Sequence, residues 1–469
     1  MADPLSITHD RFGLGARPDS RVPREDVRSY LHDQLRRFDH SPTALDGSPS
    51  ISEIAADYVR MTGLRAAARG DGADSQAARS GMRAIRRDNQ EQARISGAAR
   101  LAHAVATSTP FAERLVHFWS NHFAVSVNKL PLASMAADYE FRAIRPHVMG
   151  NFAQLLRSAV GHPTMLVFLD QVRSAGPGSE AGLRVNRRRG AGALGLNENL
   201  ARELMELHTL GVRTGYTQED VTELARALTG WTVAGFARGR AARFAEGSPG
   251  ETTFVPALHE PGVRTVMGRR YQDHGAEQAQ AIIADLAGHP ATARHIATKL
   301  AKHFISDDPP ASAIARLERA FLGSGGHLPT VYAALVAEPE VWAAERTKFR
   351  NPWDWLVASL RAAGGEMLGG HAPLRLLGML GQPLWRPGHP AGWSDSAEDW
   401  TSPGALLTRV EIANRLASGP GGRIDAVSRA REVLGDALRP ATLDAIEASR
   451  SARGVGFALL LASPEFLRR

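Results

Sequence analysis

Two stretches of this sequence hold the residue types that acid/base chemistry uses. The first, LNENLARELMELHTLG at Leu196–Gly211, repeats Leu196, Leu200, Leu204, Leu207 and Leu210 at three- and four-residue spacing. That spacing predicts one amphipathic helix, with Asn197 as N-cap and Gly211 as its stop. Advancing by about 100° per residue places Glu203 inside the leucine stripe, with Asn199 and Glu206 at its edge. Burying an unpaired carboxylate costs several kcal/mol, so Glu203 needs an Arg or His partner, a metal ion or a raised pKa. Glu198, Arg202 and Glu206 form an i, i+4, i+8 ladder of the kind that supports a helix.

The second stretch is TPFAERLVHFWSNHF, Thr109–Phe123. Thr109 is placed as N-cap and Pro110 as first helical residue, so Phe111, Leu115, Phe118 and His122 share a core face. Glu113, His117 and Asn121 fall on another face, about 140° away. The two histidines are therefore not a same-face metal pair, and no His-Glu-x-x-His occurs. His122 reads most economically as a core histidine bonded to a backbone carbonyl. Glu113, His117 and Asn121 are either a solvated, locally paired face or one wall of a site.

Together these stretches suggest a site between two helices. Glu203 would be general acid or base, and His117 or His122 the complementary proton carrier. Asn121, Asn199 and Arg202 would orient a polar or anionic group, and Trp119, Trp231 and Trp393 would wall it. Hydrolysis is the preferred reaction, because no nucleotide loop or cofactor motif is present. A divalent metal or a diiron centre is chemically compatible with carboxylates and histidines, but the paired Glu-x-x-His motifs of helical diiron sites are missing. The alternative is a non-catalytic binding or assembly protein in which the same groups form a buried network. The enzyme reading requires Glu203 and a histidine to converge on an open cavity.

The elements that must position these residues read as mainly α. The 469 residues are expected to form one large helical body, 1–469, with a small β-hairpin insertion and long Pro/Gly/Trp-rich loops. Gly70 to Gly97, poor in large apolar residues, is expected to be a polar or partly disordered excursion. The basic stretch 172–193, with Arg184, Arg187, Arg188 and Arg189, reads as a loop hanging in solvent. Thr217 and Asp220 resemble a capping box opening another helix. Within 234–275, FVPALHEPGVRTVMG suggests two strands around Pro261-Gly262. His295, Lys299 and His303 share a helix face that reads as basic and solvated. GQPLWRPGHPAGWSDSAEDW, Gly381–Trp400, cannot be regular helix and suits a loop packed over a cleft.

Composition removes several classes. There are no cysteines, which excludes disulfides, thiolate metal sites and thiol catalysis. The net charge of +7 comes with 52 Arg and four Lys, at positions 129, 299, 302 and 348. No Lys/Arg tract is interleaved with aromatics, so a solvated Arg-rich surface is favoured over a nucleic-acid footprint. Met1 to Asp10 has neither a basic nor an apolar signal region, and no apolar run is long enough to span a bilayer. Cytoplasmic residence is the default expectation, and export alongside a signal-bearing partner is the alternative.

Six blocks carry a family resemblance: HFWSNHF (117–123), NENLARELMELHTLGV (197–212), YTQEDVTELARALTGWTV (216–233), HPATARHIATKL (289–300), GQPLWRPGHPAGW (381–393) and LLLASPEF (459–466). In this order and over nearly the whole chain, the sequence resembles the bacterial family called domain of unknown function 1800. The resemblance implies a mainly helical body and no established activity. It also implies a partner, since such proteins are often encoded beside another family that looks like a sulfatase or alkaline phosphatase. Many members carry export signals, and this sequence departs from them.

Overall fold

Three- and four-residue apolar spacing becomes helix over most of the chain, and β structure among the described residues is limited to two small antiparallel two-stranded sheets. The computed structural model describes residues 4–469 except 19, 21, 24, 129–130, 190–194, 237–244, 344 and 366–370. The protein is mainly α. Apolar side chains gather in two large cores. The first surrounds Pro110–His122 and takes in Pro290–Phe304 and Leu328–Ala337. The second is built from Pro352–Ala362, Pro403–Ser418, Ala426–Leu434 and Val455–Ala462. The end of the chain returns beside residues 348–350, with Arg350 N–H donating to the Leu467 carbonyl and Arg469 N–H to that of Lys348.

Several local expectations change. Residues 73–106 are one helix of 34 residues, packed against Ile51–Ala67 and not an irregular excursion. Ala, Arg and Gln are strong helix formers, and small residues substitute for large ones at the contacts. A Cβ at Gly97 would lie 2.9 Å from Leu384 Cδ2, so the helix packs closely on Leu374 and Leu384 there. The basic stretch contains a helix, Glu180–Arg189, in which Arg184 pairs with Glu180 on the surface. The side chains of Arg187, Arg188 and Arg189 lie outside the described residues.

The hairpin is displaced along the chain. Thr252–Phe254 pairs with Trp231–Val233, and Arg264–Val266 pairs with Arg269–Tyr271. The turn of the second pair is Met267-Gly268, both at positive φ, as a two-residue hairpin turn demands. Pro261-Gly262 precedes it.

The Glu203 helix is not continuous α-helix. It is α from Asn199 to Glu203 and π from Leu204 to His208, ending before Gly211 at φ +93°. Asn197 does not cap by itself as N-cap; its Oδ1 accepts from Asn199 N–H, and Glu198 holds the cap position. A π turn adds a residue, so a 100° wheel drawn through it misplaces the leucines that defined the stripe. Leu200, Leu204 and Leu210 are buried while Leu207 is only half-buried. The capping box of Thr217 and Asp220 forms as its spacing suggests.

Candidate functional site

Pro110–His122 is apolar on most of its circumference, so even Glu113 and Arg114 are buried. Buried charges must be paired, and these two are hubs. Glu113 accepts from Arg145 Nη1 at 2.8 and 3.1 Å, lies 3.2 Å from His103 Nε2 and 3.4 Å from His117 Nε2. Burial by itself would raise its pKa. Hydrogen bonds from the two histidines and the Arg145 charge outweigh burial and hold the carboxyl well below its usual range. Arg114 donates to the Gly13 carbonyl and to Asp354 Oδ2, each at 2.7 Å, and Arg469 Nε reaches the same Asp354 oxygen at 3.1 Å.

One end of this helix faces a cavity of about 100 Å³ where the two cores meet. That is room for several waters or one small polar group. Trp353, Trp385 and Trp393 wall it, the last two half-buried. Arg100 lies 4.1 Å over the Trp353 ring and pairs with Glu140, which accepts from Trp385 Nε1 at 2.7 Å. The Trp353 indole donates to His117 Nδ1 at 3.1 Å. His117 therefore carries its proton on Nε2, which faces Glu113 at 3.4 Å without a hydrogen bond of good geometry.

Asn121 fastens the Trp-rich loop. Its Nδ2 donates to the Trp393 carbonyl at 2.8 Å and its Oδ1 accepts from Trp393 N–H at 2.7 Å. A Cβ at residue 392 would lie 2.3 Å from the Asn121 carbonyl oxygen, so the loop can come this close only as Gly392, which sits at φ +83°. Asn121→Ala is expected to cost about 1–3 kcal/mol from two lost hydrogen bonds. It should also accelerate amide exchange across 381–400; unchanged exchange there would show that other contacts hold the loop.

The opposite wall comes from Pro290–Phe304. His303 Nδ1 lies 2.9 and 3.1 Å from the two Asp395 oxygens. A nitrogen facing a carboxylate this closely bears the proton, which leaves Nε2 as the lone pair. Among the described residues that Nε2 is buried without a partner on a ring that lines the cavity, as is Ser120 Oγ on the facing helix. Burial lowers the His303 pKa to about 4; Asp395 opposes this, while Arg469 and Arg114 assist it. Asp395 is itself held in place: its carbonyl accepts from Lys348 Nζ at 2.5 Å, and Lys348 also binds Asp307 at 2.5 Å. Lys299, one turn before His303, lines the same cavity; burial lowers its pKa to about 8 against the pull of Asp395.

The face of His295, Lys299 and His303 is thus not a solvated basic face. His303 is buried, and the other two are half-buried behind the Trp-rich loop and the Leu204–His208 turn. His295 Nε2 donates to the Leu207 carbonyl at 3.1 Å and His122 Nε2 to that of His208 at 3.2 Å. These carbonyls end a helix and have no partner within it, so two imidazoles cap them. His122 is the core histidine that its pattern suggested.

Of the residues selected from sequence, His117, Asn121 and Trp393 line the cavity. The Asn197–Gly211 segment contributes nothing to its lining among the described residues. Glu203 is half-buried and makes no side-chain hydrogen bond there; burial first, then Glu206, raises its pKa against Arg202. Asn199 is exposed, and Arg202 binds Glu198 and Gln218. Trp119 is fully buried in the first core, donating to Tyr332 Oη at 2.6 Å, and Trp231 packs on Phe254. Asp395, His303 and Lys299 emerge only from the folded chain. Among the described residues no group of three or more His, Asp or Glu is arranged to hold a metal ion. No helix there is long and apolar enough to cross a membrane.

No curated protein and no solved structure matches the chain. One family model does, over residues 7–468, which is nearly the whole sequence. The chain carrying this cavity accordingly belongs to the family described as protein of unknown function (DUF1800).

Proposed function

We propose that the protein is a hydrolase whose general base is His303. The observation that carries this reading is the unpartnered Nε2 of a cavity-lining imidazole whose other nitrogen is held by Asp395. A carboxylate on Nδ1 fixes the tautomer and stabilises the imidazolium that forms when Nε2 takes a proton. Burial favours the neutral ring around pH 7, so Nε2 keeps a free lone pair at the cavity wall. Ser120, not hydrogen-bonded to His303, is assigned to binding the polar group of a substrate. Trp353, Trp385 and Trp393 exclude bulk water and offer ring faces to the substrate body. Proton transfer therefore rests on His303, and the earlier candidates Glu203 and His122 lie away from the cavity.

A panel of chromogenic esters, phosphate esters and glycosides tests this. For the substrate turned over, His303→Gln is expected to lower kcat about 10²–10⁴-fold with the fold intact by circular dichroism, and Asp395→Asn to lower it with it. Undiminished turnover in folded His303→Gln, or no turnover across the panel, removes the proposal.

A second reading is a binding or assembly protein, for which the partner resembling a sulfatase or phosphatase would be the first candidate. It is favoured by the saturation of Glu113 and Asp354, which are fully occupied in joining the cores. Co-purification of such a partner, lost on disrupting the loop 381–400, would support it.

A further inference from the structure

Among the described residues, Lys299 is the one charged group of this wall that the acid/base reading does not use. Lys348 is tied to Asp307 and the Asp395 carbonyl, Arg100 to Glu140, and Arg114 to Asp354. Lys299 makes no side-chain hydrogen bond or ion pair among the described residues, although it lines the cavity. The groups that act on it electrostatically are Asp395 on the loop, His295 on its own helix, and His122 and His208 behind. A half-buried ammonium without a side-chain partner beside a Trp-walled cavity is driven toward the free amine, and a free amine is a nucleophile. One turn along the same face stands His303, with a free imidazole nitrogen.

We propose that Lys299 is a carbonyl-reactive amine and that the cavity takes an aldehyde or ketone, which Lys299 captures as an imine with His303 moving the protons. The nitrogen lone pair adds to the carbonyl carbon and the carbonyl π pair moves to oxygen. One proton passes from nitrogen to that oxygen through His303 Nε2, giving a carbinolamine. A second passage along the same route expels the oxygen as water while the nitrogen pair closes the C=N bond. Amine and carbonyl become imine and water, with no change in oxidation level. The inference shares the cavity with the hydrolase reading but does not require hydrolysis.

The scarcity of lysine makes the test direct. The full chain is incubated at pH 7.5 with acetaldehyde, small enough for the cavity, and cyanoborohydride, which reduces an imine to a stable secondary amine, and the adducts are mapped by mass spectrometry. Lys302, exposed on the same helix, is the internal reference. A pKa near 8 gives Lys299 roughly 200-fold more neutral amine than an ordinary lysine. The lower nucleophilicity of a less basic amine removes much of that, leaving labelling about tenfold faster than at Lys302. His303→Gln should slow capture at Lys299 without slowing it at Lys302. Labelling of Lys299 no faster than Lys302 overturns the proposal, and unchanged capture in His303→Gln overturns the proton route. Because both rates are read within one folded molecule, the result does not depend on a destabilising variant. Failure here alongside His303-dependent hydrolysis would leave the hydrolase reading standing.

Discussion

Lowering the pH from 7 to 4.5 is expected to unfold the protein, with loss of stability beginning near pH 6.5, above the range in which carboxylates titrate. The cause is the cluster of His122, His208 and His295, whose rings stand 6.1–6.2 Å apart around His122. Burial, with the Lys299 charge in support, lowers the His208 pKa to about 3 and that of His295 to about 4, and holds His122 well below its usual value. In the unfolded chain each titrates near 6.5. Their folded pKa values are depressed, so the unfolded state binds more protons below that pH. The stability is therefore complete above about pH 6.5 and lost as pH falls toward 4. Each group contributes a slope of about 1.4 kcal/mol per pH unit, and three together about 4. Two pH units then remove roughly 8 kcal/mol, comparable to the whole stability of an ordinary domain. Urea midpoints from pH 7.5 to 4.5 measure it; a flat profile down to pH 5 would show that these rings are not neutral in the fold. Among the described residues neither ring nitrogen of His208 has a hydrogen-bond partner, so His208→Leu should reduce the slope by about one third while leaving stability near neutrality intact.

Asp354→Asn is expected to destabilise the protein by about 3–5 kcal/mol at pH 7.5. Asp354 is nearly inaccessible and receives Arg114 from the first core's central helix and Arg469 from the returning chain end. Burial opposes its ionisation, but Arg114 and Arg469 overcome that and hold its pKa far below the usual value. An amide keeps the shape and removes the charge, leaving Arg114 without its ion-pair partner and Arg469 with only the Asp395 charge nearby. Urea titration should show a lower midpoint with an unchanged slope. A loss under 1 kcal/mol would mean that water reaches Arg114 and Arg469. Asp354→Asn and Asn121→Ala also separate two roles at one cavity wall, since the first removes a joint between cores and the second loosens only a loop.

Part of the site could be read from local pattern. His117 and Asn121 lie on a face set by four-residue steps, and a loop dense in Trp, Pro and Gly announces a cover over a cleft. Lys299 and Lys348 left a signal of another kind. In a chain with 52 Arg and four Lys, two of those lysines sit at one site. An ammonium is a compact charge whose pKa shifts readily on burial, whereas guanidinium stays charged, so a rare Lys among many Arg marks a place where that difference counts.

The sequence by itself determined the helical class, the capping box at Thr217 and the core position of His122, because each depends on residues within a few turns of one another, and the family, because six blocks recur in order along the chain. Tertiary structure alone decided that His303 and Asp395 meet at the cavity. His303 and Asp395 are 92 residues apart, and no periodicity relates a helix face to the loop that will close over it. The same limit explains Glu203. Its wheel position assumed one α-helical period through Gly211, and a π turn beginning at Leu204 changes which side chains share a face. Burial, too, is decided by what packs on a surface: the Leu204–His208 turn covers His295, and the Trp-rich loop turns Lys299 and His303 from part of a solvated basic stripe into the wall of a cavity.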